Sequence, residues 1–272
     1  MHTYESIKEQ DSKGVLPDVQ NRKAAFSLTK VGVRHVKVPI LFDTQSCQAE
    51  CAAYIYALNN KGANLSRLIE VLTSLSTKPL TFEILKSVAE ALFNTHNHAG
   101  LIKIKFNIFN TKAAPVSKKV SYIHYPCEIS IKDQSKYVIG IQGLGTTVCP
   151  CSLEITNSKG AHNQRATINL KVEVVETAGL NLVEVCKKLI NIADTSSSCE
   201  IYNILKRADE KFVTEKMFSN PCFSEDCARN AATALKELKY IKNFSVVVES
   251  YESIHSHNCL SIYDTKENLH AV

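Results

Sequence analysis

The chain has 272 residues, 44% hydrophobic and 22% charged, with a formal net charge of +5. Such a composition fits a folded chain of one or two domains with room for a sizeable core, and it excludes an extensively disordered protein. The positive surplus is mild and forms no arginine-rich block or basic stripe interleaved with aromatics, which excludes a nucleic-acid surface and suits a small anionic ligand.

Residues 28–42 carry Val31, Val33, Val36 and Val38 among polar neighbours, close to a period of two, and read as a strand. Residues 51–58 read as its antiparallel partner across a loop. Residues 65–75, with Leu68, Ile69 and Leu72, and residues 81–93, with Phe82, Leu85, Val88 and Leu92, have helical spacing, and Lys78-Pro79 breaks between them. Strands at 101–109 and 120–131 complete a strand-strand-helix-helix-strand-strand unit. A looser second round follows. Residues 137–142 and 166–175 read as strands, 182–192 and 228–238 as helices, and 244–252 as a closing strand. The polar stretch 196–226, with Asn220-Pro221 as a turn signal, is expected to be partly helical and to line a site. An antiparallel sheet with paired helices on one face, used twice, is an α+β architecture. The expected division is an N-terminal arm at 1–24, a first module at 25–136, and a second module at 137–272 carrying most of the chemistry.

The start of the chain lacks the apolar stretch of a signal peptide, and no later apolar run approaches the eighteen or so residues that span a bilayer. A cytoplasmic protein with no membrane contact is expected. Its ten scattered cysteines are then mostly small buried hydrophobes, with a few free for chemistry.

Cys149-Pro150-Cys151 and His162 put two thiols and an imidazole within fourteen residues. These donors select zinc or ferrous iron over magnesium or calcium. No Cys-x-x-Cys pair is present to close a four-ligand structural zinc site, so an open catalytic site is expected, with a further ligand from far along the chain. The same half holds Ser198-Cys199-Glu200, Val213-Thr214-Glu215 and Glu252-Ser253-Ile254-His255-Ser256-His257. Taken alone, each motif has a plainer reading: a turn with buried thiols, a solvated helix glutamate, or loop histidines.

Together with Asp18-Val19-Gln20, Val31-Gly32-Val33, Lys61-Gly62, Ser66-Arg67, Ala114-Pro115-Val116-Ser117 and Gly160-Ala161-His162-Asn163-Gln164-Arg165, these motifs occur in one order. In this the chain resembles the type IB GTP cyclohydrolase I family from about residue 18 to about residue 260. The resemblance implies a bimodular tunnelling fold, a homotetramer, and hydrolysis of GTP to 7,8-dihydroneopterin triphosphate and formate, the first step of folate biosynthesis in many bacteria. Archaeal relatives make a cyclic phosphate instead. Family members commonly carry Gly-Thr-His-Met-Ser-Arg where this chain has Gly62-Ala63-Asn64-Leu65-Ser66-Arg67, which puts a secondary contact in doubt.

The chemistry needs water to attack guanine C8, and a metal supplies a hydroxide equivalent by lowering the pKa of water towards about 7. The resemblance implies one divalent ion per subunit, Zn2+, Mn2+ or Fe2+, on Cys149, His162 and Glu200, with a fourth position open. Cys151 stays open between ligand and structural cysteine. Alongside Cys149, the implied catalytic residues are His255 and His257, for proton transfer or direct metal contact. Two apart on an extended segment, these histidines face the same way. Glu215 is the implied partner of guanine, whose N1–H and 2-amino group one carboxylate can accept together. Arg165, Lys206, Arg207 and Lys211, with Arg67 and Lys112 able to arrive from a neighbouring subunit, are the candidate triphosphate cations. Two alternatives differ in class. One is a nitrile reductase of the same fold, with Cys149 or Cys151 as nucleophile and NADPH as reductant; the other is a catalytically silent purine- or pterin-binding module.

Overall fold

The computed structural model describes Lys8, residues 19–76, 78–133, 135–175, 178–267 and Leu269. The expected arm at 1–24 therefore lies largely outside the described residues.

β1 (Lys23–Phe42) and β2 (Gln45–Asn60) form a long antiparallel hairpin. The loop expected between them is a tight turn at Asp43 and Thr44, with Asp43 at φ 55°. Along β1 the apolar residues switch from odd positions, Val31 and Val33, to even ones, Val36 and Val38. A β-bulge between Val33 and Val36, with His35 at φ 59°, accounts for the switch. One inserted residue returns the later side chains to the buried face. Beyond it Val38, Ile40 and Phe42 are no more than 3% exposed.

α1 (Leu65–Thr73), prolonged by a 3-10 turn at Ser74–Ser76, and α2 (Phe82–His96) follow. The Thr81 hydroxyl caps α2 by accepting the Ile84 N–H, and Asn97 ends it in the left-handed conformation. Leu68, Val71 and Leu72 face the core. Ile69, expected there, is 43% exposed, because one helical step of about 100° from Leu68 carries it off the buried stripe.

β3 (Gly100–Ala113) pairs with β2 and with β4 (Val120–Lys132). β5 (Lys136–Val148) pairs with β4, so both rounds share one sheet. The strand runs past its expected end at Gln142 towards α3 (Pro150–Ile155), a short helix absent from the sequence reading. β6 (Asn163–Val174) pairs with β5, and α4 (Leu182–Thr195) packs across them. Glycine is required under this helix: a Cβ at Gly143 would stand 2.6 Å from the Ala193 Cβ, and one at Gly145 2.2 Å from the Ser197 Oγ just beyond the helix end.

β7 (Cys199–Glu200) adds to the end of β5. The polar stretch 196–226 is partly helical, as expected, through α5 (Arg207–Ser219), and α6 (Ser224–Lys236) begins near its end. β8 (Ile241–Ser250) does not close the sheet: β9 (Cys259–Asp264) pairs on its outer side. The sheet order is β1-β2-β3-β4-β5-β6-β8-β9, antiparallel throughout, with helices on one face over a continuous core. Among the described residues, no helix is long and apolar enough to cross a membrane.

Candidate active site

β5 and β6 stay in register out to Val148 opposite Asn163, so Cys149 and His162 stand just beyond the last pair on facing strands. A chain of hydrogen bonds holds them there. The Cys149 N–H donates to the His162 carbonyl at 3.1 Å, the His162 N–H to the Ser152 hydroxyl at 3.2 Å, and that hydroxyl to the Cys149 carbonyl at 3.2 Å. Pro150 opens α3 at the position where a missing N–H costs nothing, and Cys149 Sγ accepts the Ser152 N–H at 3.3 Å. Cys-Pro-Cys is thus a helix start. Cys151 falls on its exposed side and does not line the cavity beside Cys149.

That cavity, of about 270 Å³, is bordered by Cys149, His162, Gln164, Cys222, Glu252, His255 and His257, among others. Three imidazoles run through it. His162 and His255 meet edge to face at 6.5 Å, and His255 stacks on His257 at 5.2 Å and 18°. His255 and His257 border the same cavity, though not as members of a strand: their segment is a series of bends.

Gln164 fixes the chemistry of His162. β6 and β8 are in register at Ala166 opposite Ser250, and two residues further on Gln164 faces Glu252. The Gln164 amide nitrogen donates to Glu252 Oε1 at 3.2 Å and to Thr147 Oγ1 at 2.9 Å. A carboxylate only accepts, so the amide oxygen must be the atom 3.2 Å from His162 Nδ1, and Nδ1 must carry the proton. In its neutral form the ring then keeps its lone pair on Nε2, the atom through which imidazole binds a metal or takes up a proton. Glu252 Oε2 lies 3.8 Å from the same Nδ1, behind the ring. Beside Glu252, burial and the carboxylate push the Cys259 thiol up from its ordinary range. Gln164 and Glu252 both stand inside motifs visible in the sequence, and membership was the one signal that marked them.

Glu200 stands apart. Pairing with Gly145 places it in a different network, where Oε2 lies 3.1 Å from Lys112 and accepts the Tyr202 hydroxyl at 3.2 Å. Its other oxygen is 3.8 Å from Lys216. Lys112 also donates to Asp194 at 2.6 Å, beside the Tyr125 hydroxyl at 2.8 Å. Burial holds Asp194 above the usual carboxylate range in spite of Lys112. Among the described residues, no three His, Cys, Asp or Glu side chains converge to hold a metal. Cys149 and His162 are brought together; Glu200 is not brought to them.

Glu215 is exposed on α5, 3.7 Å from Lys211, and Arg165, Lys206 and Arg207 are exposed as well. None of the four lines the cavity. A larger concavity of about 550 Å³ lies over the strands around Lys37, Phe106, Glu128 and Gln142, but no histidine lines it. The chemistry-bearing side chains favour the smaller one.

The family model "Type I GTP cyclohydrolase folE2" matches residues 16–261. The chain is 35% identical to the GTP cyclohydrolase FolE2 of Maridesulfovibrio salexigens over 89% of its own length and 96% of that protein. It is 36% identical to the GTP cyclohydrolase FolE2 of Thermosipho melanesiensis, over 92% and 98%. Among solved structures, uricase from Arthrobacter globiformis superposes with a TM-score of 0.54 at 7% identity, covering 90% of this chain and 96% of that one. That likeness concerns the fold alone, and with the nine-stranded antiparallel sheet it identifies a bimodular tunnelling fold of the α+β class. With the match running through every motif around Cys149, His162 and His255, the chain belongs to the type I GTP cyclohydrolase folE2 family.

Proposed function

We propose that the chain is a metal-dependent GTP cyclohydrolase I, hydrolysing GTP to 7,8-dihydroneopterin triphosphate and formate. Family membership supports the activity over the nitrile reductase and the silent binding module. The observation that carries the site is the meeting of Cys149, His162, His255 and His257 around one cavity.

A thiol sulfur and an imidazole with a free Nε2 form a donor pair suited to zinc, manganese or ferrous iron. Cys149 and His162 would hold one ion per subunit. Glu200, held by Lys112 and Lys216 apart from that pair, would have to leave both cations and turn towards the cavity to serve as the third ligand. Bound there, a divalent cation supplies a hydroxide equivalent for attack at guanine C8 by lowering the pKa of water towards about 7. Gln164 keeps the Nδ1 proton of His162 in place while Nε2 faces the reaction. His255 and His257, at the cavity mouth, deliver a proton to the departing ring nitrogen as C8 is lost in formate.

Glu215 accepts guanine N1–H and the 2-amino group, and Arg165, Lys206 and Arg207 bind the triphosphate. Because these four lie outside the cavity, the reading requires a homotetramer in which a neighbouring subunit supplies part of each site. Each subunit is built from a module at 25–136 and a second at 137–272, and the enzyme works in the cytoplasm. The test is metal analysis of anaerobically purified protein with a GTP assay that follows formate and the fluorescent oxidised pterin. Full turnover in a metal-free preparation would overturn the metal; no formate from GTP with metal bound would overturn the activity.

A further inference from the structure

Two thiols with no part in this chemistry meet beside the same cavity. Cys222 borders it, and its N–H donates at 3.0 Å to the carbonyl of Val148, the neighbour of Cys149. With Phe223 as the N-cap of α6, Cys222 and Cys227 occupy the positions just before the cap and four residues into the helix. Side chains at these two positions meet wherever a chain turns into a helix, and the pair is commonly apolar. Here both carry sulfur, and the Sγ atoms are 3.3 Å apart. Cys227 is wholly buried behind Cys222, so a small molecule entering the cavity reaches Cys222 first.

The two thiols are electronically unlike. The hydrogen bond it shares with Cys227 holds Cys222 below the ordinary thiol range, and that contact with burial pushes Cys227 far above it. A thiolate that attacks, beside a thiol that keeps its proton until it resolves the product, is the arrangement that thiol–disulfide chemistry uses.

We propose that Cys222 and Cys227 are a redox modification site, forming a reversible disulfide when hydrogen peroxide enters the cavity. The Cys222 thiolate attacks one peroxide oxygen and the O–O bond breaks. The released hydroxide takes up the proton Cys222 had lost, leaving a sulfenic acid and one water. The Cys227 sulfur then attacks the sulfenic sulfur, the S–S bond forms, and the hydroxyl leaves with the Cys227 proton as a second water. Two thiols and one peroxide become a disulfide and two waters, the sulfurs giving up the two electrons that reduce the peroxide. Closing the bond moves the sulfurs from 3.3 Å to about 2.05 Å. The ring spans six residues, so the bridge adds less chain-entropy stabilisation than a long-range disulfide would.

The experiment needs neither GTP nor metal. Reduced full-length protein is treated with one equivalent of hydrogen peroxide, unfolded in an alkylating reagent and digested with trypsin. Both cysteines fall in one peptide, 217–229. It is expected two hydrogens lighter and unalkylated, with two alkyl groups restored if dithiothreitol precedes the alkylation. In Cys227→Ser, Cys222 should instead be trapped by dimedone as the sulfenic acid. Full alkylation of peptide 217–229 after peroxide treatment, a bridge from Cys222 to Cys149 or Cys151, or oxidation that dithiothreitol cannot reverse would each overturn the proposal.

Discussion

Gln164 shows how one side chain decides what another can do. Its amide is oriented by Glu252, and through its oxygen it decides which nitrogen of His162 holds the proton. Replacing it with leucine removes the acceptor at Nδ1 and strips Glu252 of a donor. Metal affinity of Gln164→Leu is expected to fall about 10–100-fold, as for other residues that orient a ligand; unchanged affinity in a chelator competition would show that the ring is held by other means. His255 and His257 act at another step. Asparagine at either is expected to lower kcat by roughly 10²–10⁴-fold with metal retained, and near-normal turnover in the double variant would remove the pair from the mechanism.

At the scale of elements, Asp209 joins the two halves of the chain. It sits in the first turn of α5, wholly buried, and accepts the Lys206, Val116 and Ser117 N–H groups, each at 2.8 Å, and the Ser117 hydroxyl at 2.6 Å. The β3–β4 connection of the first half is thereby tied to a helix of the second. Burial works against its ionisation, yet the Ser117 hydroxyl and the backbone donors outweigh this and hold the carboxyl well below the usual carboxylate range. For a depressed carboxyl, the stabilisation is complete above the unfolded value, about 3.9, and is lost as pH falls through the folded one. The Tm gap between wild type and Asp209→Asn should therefore be steady above about pH 5 and shrink as pH falls below about 4. A gap that stays constant down to strongly acidic pH would show that the carboxylate charge contributes nothing.

At the scale of the whole molecule, the sheet edges bear on assembly. β1 and β9 are its two edges, with Phe26 at 74% and Leu260 at 60% exposure. Exposed apolar edges invite pairing with another chain, and the proposed tetramer would bring Glu215 of one subunit to the cavity of another. Sedimentation should show a tetramer, and a fully active monomer at working concentration would contradict it. Glu215→Gln sets a donor against the guanine donors. It should weaken GTP binding by several kcal/mol, roughly 10-fold per 1.4 kcal/mol, without changing metal content. Unaltered GTP affinity would place the base elsewhere.

The sequence by itself determined the alternation of strands and helices, because periods of two and 3.6 are local properties that survive without knowledge of the partner element. The ordered motifs are equally legible, and they are the signature of the family to which the chain belongs. Only the tertiary structure decided the rest. The bulge at His35 shows as a parity shift whose cause lies in pairing with β2. β9 carries Leu260 and Ile262 outward, so its alternation marks no buried face. Cys149 joins His162 because the β5–β6 register ends between them, while Glu200, no less prominent as a motif, is drawn to Lys112 and Lys216. Which charges meet depends on where separate strands and helices end in space, and spacing along the chain does not carry that information.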